Sequence, residues 1–427
     1  TSKSFTAAAV GFALTENKLQ LSDRIVSFFP GDLPQPVSPF LAELTVRDAL
    51  MMADGQEPDP TSSVVNDSNW ARKFLSIPIL HEPGTTFLYN SAGTYMLAAV
   101  VQKVTGQTVL EYLKPRLFEP LGISGEDWET SPQGVNTGGW GLRLRTEDMA
   151  KFGQLYLQGG RWNGKQVLPA SWVKEATSVK IMQDPNAPQS KKDSSDWLQG
   201  YCYQMWRCRH NGVRADGAFG QFIIMLPDED AVVAITAETP DMQEEINLVW
   251  QYILPALHPA TLPSDPGADA RLRRQLTALA LSTAPKDAGP AGNPFDGKSF
   301  DLAANSKRMK AMAFHFSGHR LELDITGDTA HYRIAFGDGR WIAGTTTRPG
   351  PDLLAGAVHH DVGLPAFHTA GSYQWVDGHT LRLVLRYIES PHSETMICTV
   401  EGNRLSVEDA NSFQFGKNTL SIQGTAQ

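Results

Sequence analysis

The sequence predicts a mixed α/β domain, an antiparallel sheet flanked by helices with an all-helical insertion, followed by a separate all-β domain. Three observations carry this reading. Segments with helical spacing and one apolar hairpin alternate up to residue 257. Residues 258–299 are rich in Pro, Ala, Asp and Gly, and read as a linker. From about Ala311 onward apolar residues recur with period two, so 300–427 is expected to form a small barrel or sandwich.

The elements follow in order. Thr1 to Leu19 reads as a helix, with Phe5, Ala9, Phe12 and Ala13 as its apolar stripe. A short helix around Ile25 to Phe29 stops at Pro30-Gly31. Thr45 caps Val46 to Met52, with Asp48 completing a capping box. A long helix from about Ala92 through Val104 ends at Gly106, and Thr146 caps another running to Leu157. Tyr201 to Cys208 reads as extended. Gln221 to Leu226 and Ala231 to Ala237 form a hairpin across Pro227 to Asp230, and Glu244 to Leu257 is the last helix of the domain. One short helical piece near Arg271 to Leu281 lies in the linker. In the β domain, Gly327-Asp328 and Asp377-Gly378 are turns between strands such as Arg320 to Ile325 and Thr380 to Leu385.

Bulk properties narrow the function. The chain has 427 residues, 41% hydrophobic and 19% charged, which is ordinary for a globular protein of two or three domains. No run of about eighteen apolar residues occurs, so no transmembrane segment is expected. The formal charge of -9 is dispersed, and no basic patch with interleaved aromatics points to nucleic acid. In an extended segment Cys202 and Cys208 stand roughly 20 Å apart, too far for a disulfide. With Cys398 the count is odd, so free thiols and a reducing, cytoplasmic location are expected. The eleven histidines show no ligand spacing, and His359-His360 is not read as a metal site, so neither metal nor cofactor is expected. Arg207, Arg209 and Arg214 read as a solvated strand face.

Three local patterns could carry chemistry, and their order matters. Thr1-Ser2-Lys3-Ser4-Phe5 opens a helix, Tyr89-Asn90-Ser91 opens another, and Ala215-Asp216-Gly217 leads into the apolar hairpin. Scaffold phrases accompany them: Pro83-Gly84-Thr85, Val104-Thr105-Gly106, Leu117-Phe118-Glu119-Pro120, and Gly139-Trp140-Gly141. Over about residues 1 to 257 this arrangement resembles the serine β-lactamase and DD-peptidase superfamily. Within it, the likeness is to class C β-lactamases, related esterases and 6-aminohexanoate-dimer hydrolases.

The resemblance implies a β-lactamase-like fold and hydrolysis of an amide, peptide or ester through an acyl-enzyme, on a small-molecule or peptide substrate. It implies Lys3 as general base, Tyr89 as acid/base relay, Ser91 as a positioning hydroxyl, and the backbone at Gly217 as oxyanion or substrate edge. Trp140 and Asp216 are expected to line the substrate cleft. The motif's nucleophile falls at the position before Thr1. Ser2 is one residue from Lys3 and faces another way, and Ser4 lies on the wrong side of it. The second motif ends in Ser91 where Asn is commoner. The third has Ala215 where Lys or His usually binds a substrate carboxylate, which argues against an efficient β-lactamase. Asp216 is instead expected to favour a substrate with a nearby amine or amide. A non-catalytic ligand-binding or sensor module is the alternative.

Overall fold

A computed structural model of the chain describes residues 1–427 apart from 284–288, 291, 355 and 358–361. It divides into two compact units, Thr1–Leu257 with Leu354–Leu364, and His258–Leu353 with Pro365–Gln427. The sequence reading had placed 354–364 within the β domain. Leu354 and Ala357 instead pack into the hydrophobic core of the first unit. The pair His359-His360 lies outside the described residues.

The first unit is organised around helix α1 (Ser2–Thr15), which is buried on nearly every side rather than along one stripe. Small side chains at Ala7, Ala8 and Ala9 allow close packing all round, and all three are fully buried. The Phe5 ring stacks 4.0 Å from Phe152 and lies 6.0 Å from Phe118. Burying such a side chain contributes about 1.5–3 kcal/mol. Helix α2 (Ser91–Thr105) packs against α1. It starts where the Asn90 side chain accepts the Gly93 N–H at 3.0 Å, and it ends at Gly106, whose φ of 72° is left-handed. The Thr45–Asp48 capping box forms as the spacing predicts, with Asp48 N–H donating to Thr45 Oγ1 at 3.3 Å and Thr45 N–H to Asp48 Oδ2 at 2.9 Å.

A four-stranded antiparallel sheet runs in sequence order: β1 (Trp206–Arg207), β2 (Val213–Gly217), β3 (Gln221–Leu226) and β4 (Ala231–Ile235). Helix α3 (Thr146–Leu157) lies on β3 and β4, so close that a Cβ on Gly153 would meet Val232 and Ile223. Its cap is Arg145, not Thr146, whose hydroxyl pairs with Thr236 at 3.0 Å. Nor is Tyr201 to Cys208 one extended strand. Gln204 has a φ of 58°, and the chain folds back so that Tyr201 bridges Trp206. Tertiary hydrogen bonds hold this turn. The buried Gln204 amide donates to the Ala49 and Leu50 carbonyls at 3.0 Å each, and accepts the Thr94 hydroxyl at 2.7 Å. The distance argument against a Cys202–Cys208 bridge therefore loses its premise, although all three cysteines are free and buried.

The last helix of the unit is split: α4 (Met242–Leu248) passes into a wider π turn at Val249–Ile253 and a 3₁₀ turn at Leu254–Ala256. In the second unit, helix α5 (Pro266–Ala278) has no buried residue. The strands are β5 (Ser299–Leu302), β6 (Met309–Ser317), β7 (Arg320–Gly327), β8 (His331–Asp338), β9 (Ile342–Thr346), β10 (Phe367–Trp375), β11 (Thr380–Tyr387), β12 (Ser393–Glu401), β13 (Arg404–Asn411) and β14 (Thr419–Ala426). Antiparallel neighbours run β8-β7-β6-β5-β14-β13-β12-β11-β10-β9, and parallel pairing of β8 with β10 closes the sheet into a barrel. Phe314, Leu323, Leu383, Leu385 and Val407 fill the interior. A buried ion network joins them: Lys307 donates to Asp409 at 2.6 Å, and Arg348 to Glu394 at 2.7 Å. No described helix is long and apolar enough to cross a membrane.

Phe314 is fully buried, with its ring 4.9 Å from Phe295 and 6.1 Å from Phe300. Phe314→Ala is expected to destabilise the barrel by about 3–5 kcal/mol, read from the denaturant midpoint of its unfolding transition.

Candidate active site

The lysine of the first motif and the serine of the second are brought into contact by the crossing of α1 and α2. Lys3 Nζ lies 2.9 Å from Ser91 Oγ and 2.8 Å from the Gly139 carbonyl oxygen, donating to both. Close approach at Gly139 makes this possible, since a Cβ there would meet the Ser91 carbonyl oxygen at 2.9 Å. Lys3 is 6% exposed, so its charge is poorly solvated. Burial lowers its pKa to about 8, with the negative charges of Asp59 and Asp216 opposing the shift. A neutral amine has two N–H groups and one lone pair. The two acceptors engage both N–H groups and leave the lone pair free.

Tyr89 presents its ring to the same ammonium, 4.7 Å from Nζ to centroid. The ring also packs 5.5 Å from Trp206 and edge-on to Tyr201 at 6.3 Å. Burial and the charge of Asp216 push its hydroxyl far above the ordinary phenol range, while Arg214 and a hydrogen bond with Trp206 pull the other way. The phenol therefore holds its proton.

The third motif ends strand β2 beside the start of α1. A Cβ on Gly217 would meet the Thr1 nitrogen at 2.8 Å, so this glycine lets the strand lie directly against the helix start. The two serines of the first motif are engaged elsewhere. Ser2 Oγ accepts the Leu142 N–H at 3.2 Å, and Ser4 Oγ donates to the Gln204 carbonyl at 2.7 Å.

Asp216 is held by Arg214, whose Nε donates to Oδ2 at 3.0 Å. The sequence reading took Arg214 for a solvated residue, but its side chain is fully buried. It stacks 4.3 Å from the Trp197 ring and donates to the Asp196 carbonyl at 2.7 Å. Arg209 likewise pairs with Asp196, at 2.8 Å. Burial raises the Asp216 carboxyl above its ordinary value, and Arg214 only partly restores it. Glu245 on α4 was not anticipated. Its Oε2 is buried without a hydrogen-bond partner against Gly220, and burial together with the Asp216 charge raises its pKa to about 7. No local pattern could have found it, because α4 follows the motif strand by more than twenty residues. Trp140 is half-buried in packing: its indole N–H donates to Glu129 at 3.1 Å and its ring lies 5.7 Å from Trp70. No metal-competent group of His, Cys, Asp or Glu occurs among the described residues.

Truncating one partner of a buried pair strands the other charge. Asp216→Ala is therefore expected to cost about 3–5 kcal/mol of stability, measured by denaturant unfolding, and an additional Arg214→Met should recover part of it.

The Beta-lactamase family matches residues 1–257. Among curated proteins, the chain is 27% identical over 259 residues to the 6-aminohexanoate-dimer hydrolase of Paenarthrobacter ureafaciens, covering 56% of this chain and 65% of that protein. A 52-residue stretch is 36% identical to the lovastatin esterase of Penicillium rubens, 12% of this chain and 13% of the relative. The chain thus spans less than two thirds of the length of these relatives. A solved structure from Bacillus anthracis, assigned to the 6-aminohexanoate-dimer hydrolases, aligns with TM-score 0.50 at 21% identity, over 62% of this chain and 72% of that one, which speaks to the fold. The match runs through every residue of the three motifs, and the chain belongs to the Beta-lactamase family.

Proposed function

We propose that this site hydrolyses an amide, peptide or ester through a serine acyl-enzyme, with Lys3 as the general base. The observation that carries the reading is the buried Lys3 amine, tethered by Ser91 and Gly139 and with its pKa lowered to about 8. A serine at the position before Thr1 would stand three residues before Lys3, one helical turn away on the same face. The Lys3 lone pair takes its hydroxyl proton as the oxygen bonds to the substrate carbonyl carbon. The oxyanion that forms is stabilised by backbone N–H groups at the helix start and beside Gly217. On collapse the carbonyl–leaving-group bond breaks. The leaving nitrogen or oxygen receives a proton from Tyr89, which is replenished from Lys3, and water then cleaves the ester by the same steps in reverse.

Ala215 stands where the family more often has a base, while Asp216 lies next to it on the motif strand and Glu245 lies against Gly220. The two acids suit a substrate that carries an amine or amide close to the scissile bond, and they disfavour one with a carboxylate there. Three free, buried thiols support a reducing, cytoplasmic setting.

With the serine in place, the chain is expected to be labelled by a fluorophosphonate, and Lys3→Ala to slow labelling by about 10²–10⁴-fold. Absence of labelling in the Lys3-containing protein would overturn the hydrolase reading. The rate should rise with pH through about 8 as Lys3 loses its proton, because only the neutral amine can accept the serine's. In a second test, an amide substrate with a free amine near the scissile bond should exceed its N-acetylated counterpart in kcat/KM. Glu245→Gln should reduce that preference by about tenfold, measured at a pH above 7 where Glu245 is ionised.

A further inference from the structure

The barrel carries a cavity of about 330 Å³ that is unrelated to the motifs. Along β11, Leu381, Leu383 and Leu385 point into the barrel, so Arg382, Val384 and Arg386 line its outer face. Trp341 and residues 282–283 roof that face. The roof is pinned at two points: the Trp341 indole N–H donates to the Leu281 carbonyl at 2.8 Å, and Thr283 Oγ1 to the Gly339 carbonyl at 2.7 Å.

The arginines distinguish this cavity from an ordinary surface groove. Arg386 is half-buried, its Cζ lies 5.7 Å from the Trp341 ring centroid, and its Nε is buried with no hydrogen-bond partner. A buried donor left unpaired costs about 1–3 kcal/mol, more when charged, so its persistence calls for an acceptor. Elsewhere on the barrel, Arg333 is held by Asp324 and Arg348 by Glu394. Among the described residues no acidic side chain lines this cavity, whereas two guanidinium groups do.

We propose that the cavity binds a small organic carboxylate with a flat apolar body. The carboxylate accepts from Arg386, whose Nε and Nη groups form a planar fork matched to two carboxylate oxygens. The body lies along Val384 and Trp341. Arg382, exposed at the other end of the strand face, adds long-range attraction. A volume of this size sits at the small end of ligand pockets, which suits a one-ring acid. This inference does not depend on the hydrolase reading.

Phenylacetate is a suitable probe, since it has no bond the proposed reaction could cleave. Calorimetric titration of the full chain should show saturable one-to-one binding. Arg386→Gln should weaken it by at least about tenfold, Arg382→Gln by less, and Lys3→Ala not at all. Three outcomes would overturn the proposal: no saturable binding, unchanged affinity in Arg386→Gln, or loss of binding in Lys3→Ala. Inorganic phosphate binding as tightly as phenylacetate would also overturn it, because the site would then be a bare anion patch. Should Arg386→Gln fail to fold by circular dichroism, Trp341→Leu takes its place, with the same tenfold weakening expected.

Discussion

The first unit depends on one constraint: a lysine amine must be held out of water without losing its hydrogen bonds. Lys3 meets it because α1 is buried on almost every side, and because α2 and the loop at Gly139 each bring an acceptor to the amine. Burial of the charge is what lowers the pKa, and the two acceptors make that burial tolerable. The alanines of α1, the close approach at Gly139 and the Asn90 cap all serve the same geometry. The small residues let the elements come near enough for Nζ to reach both oxygens at once, and the cap starts α2 at Ser91.

Negative charge around the amine sets the working range of the site. Asp216 and Asp59 oppose the effect of burial and keep Lys3 from falling further. Arg214 in turn holds Asp216 in a fixed place, stacked beneath Trp197. Burial, reinforced by the same carboxylate, keeps Tyr89 protonated. The Asp216 carboxylate therefore acts on both groups in the same sense, favouring the protonated forms of Lys3 and Tyr89.

The barrel solves a different problem. Pairing β8 with β10 at Gly337–Ser372 and Asp338–Tyr373 closes the sheet, and the interior is filled by side chains. On its outward face Arg386 lies over Trp341, with Nε buried and without a hydrogen-bond partner.

Local chemistry made much of this legible in the sequence. Spacing located the capping box at Thr45, the hairpin across Pro227 to Asp230, the end of α2 at Gly106 and the period-two strands of the barrel, since each rests on neighbouring residues. The motifs pointed to Lys3, Tyr89, Ser91, Asp216 and Gly217 through their order along the chain. What the sequence could not supply were features made by distant residues meeting. The turn at Gln204 exists because its amide finds Ala49, Leu50 and Thr94. Arg214 reads as a surface residue until Trp197, Asp196 and Asp216 enclose it, and Glu245 has no local signature at all. The sequence by itself determined the elements and the identity of the chemical groups, because periodicity, caps and motif spacing are local. Only the tertiary structure decided which charges are buried and which acceptors reach Lys3, because desolvation and hydrogen-bond geometry depend on residues brought together from across the chain.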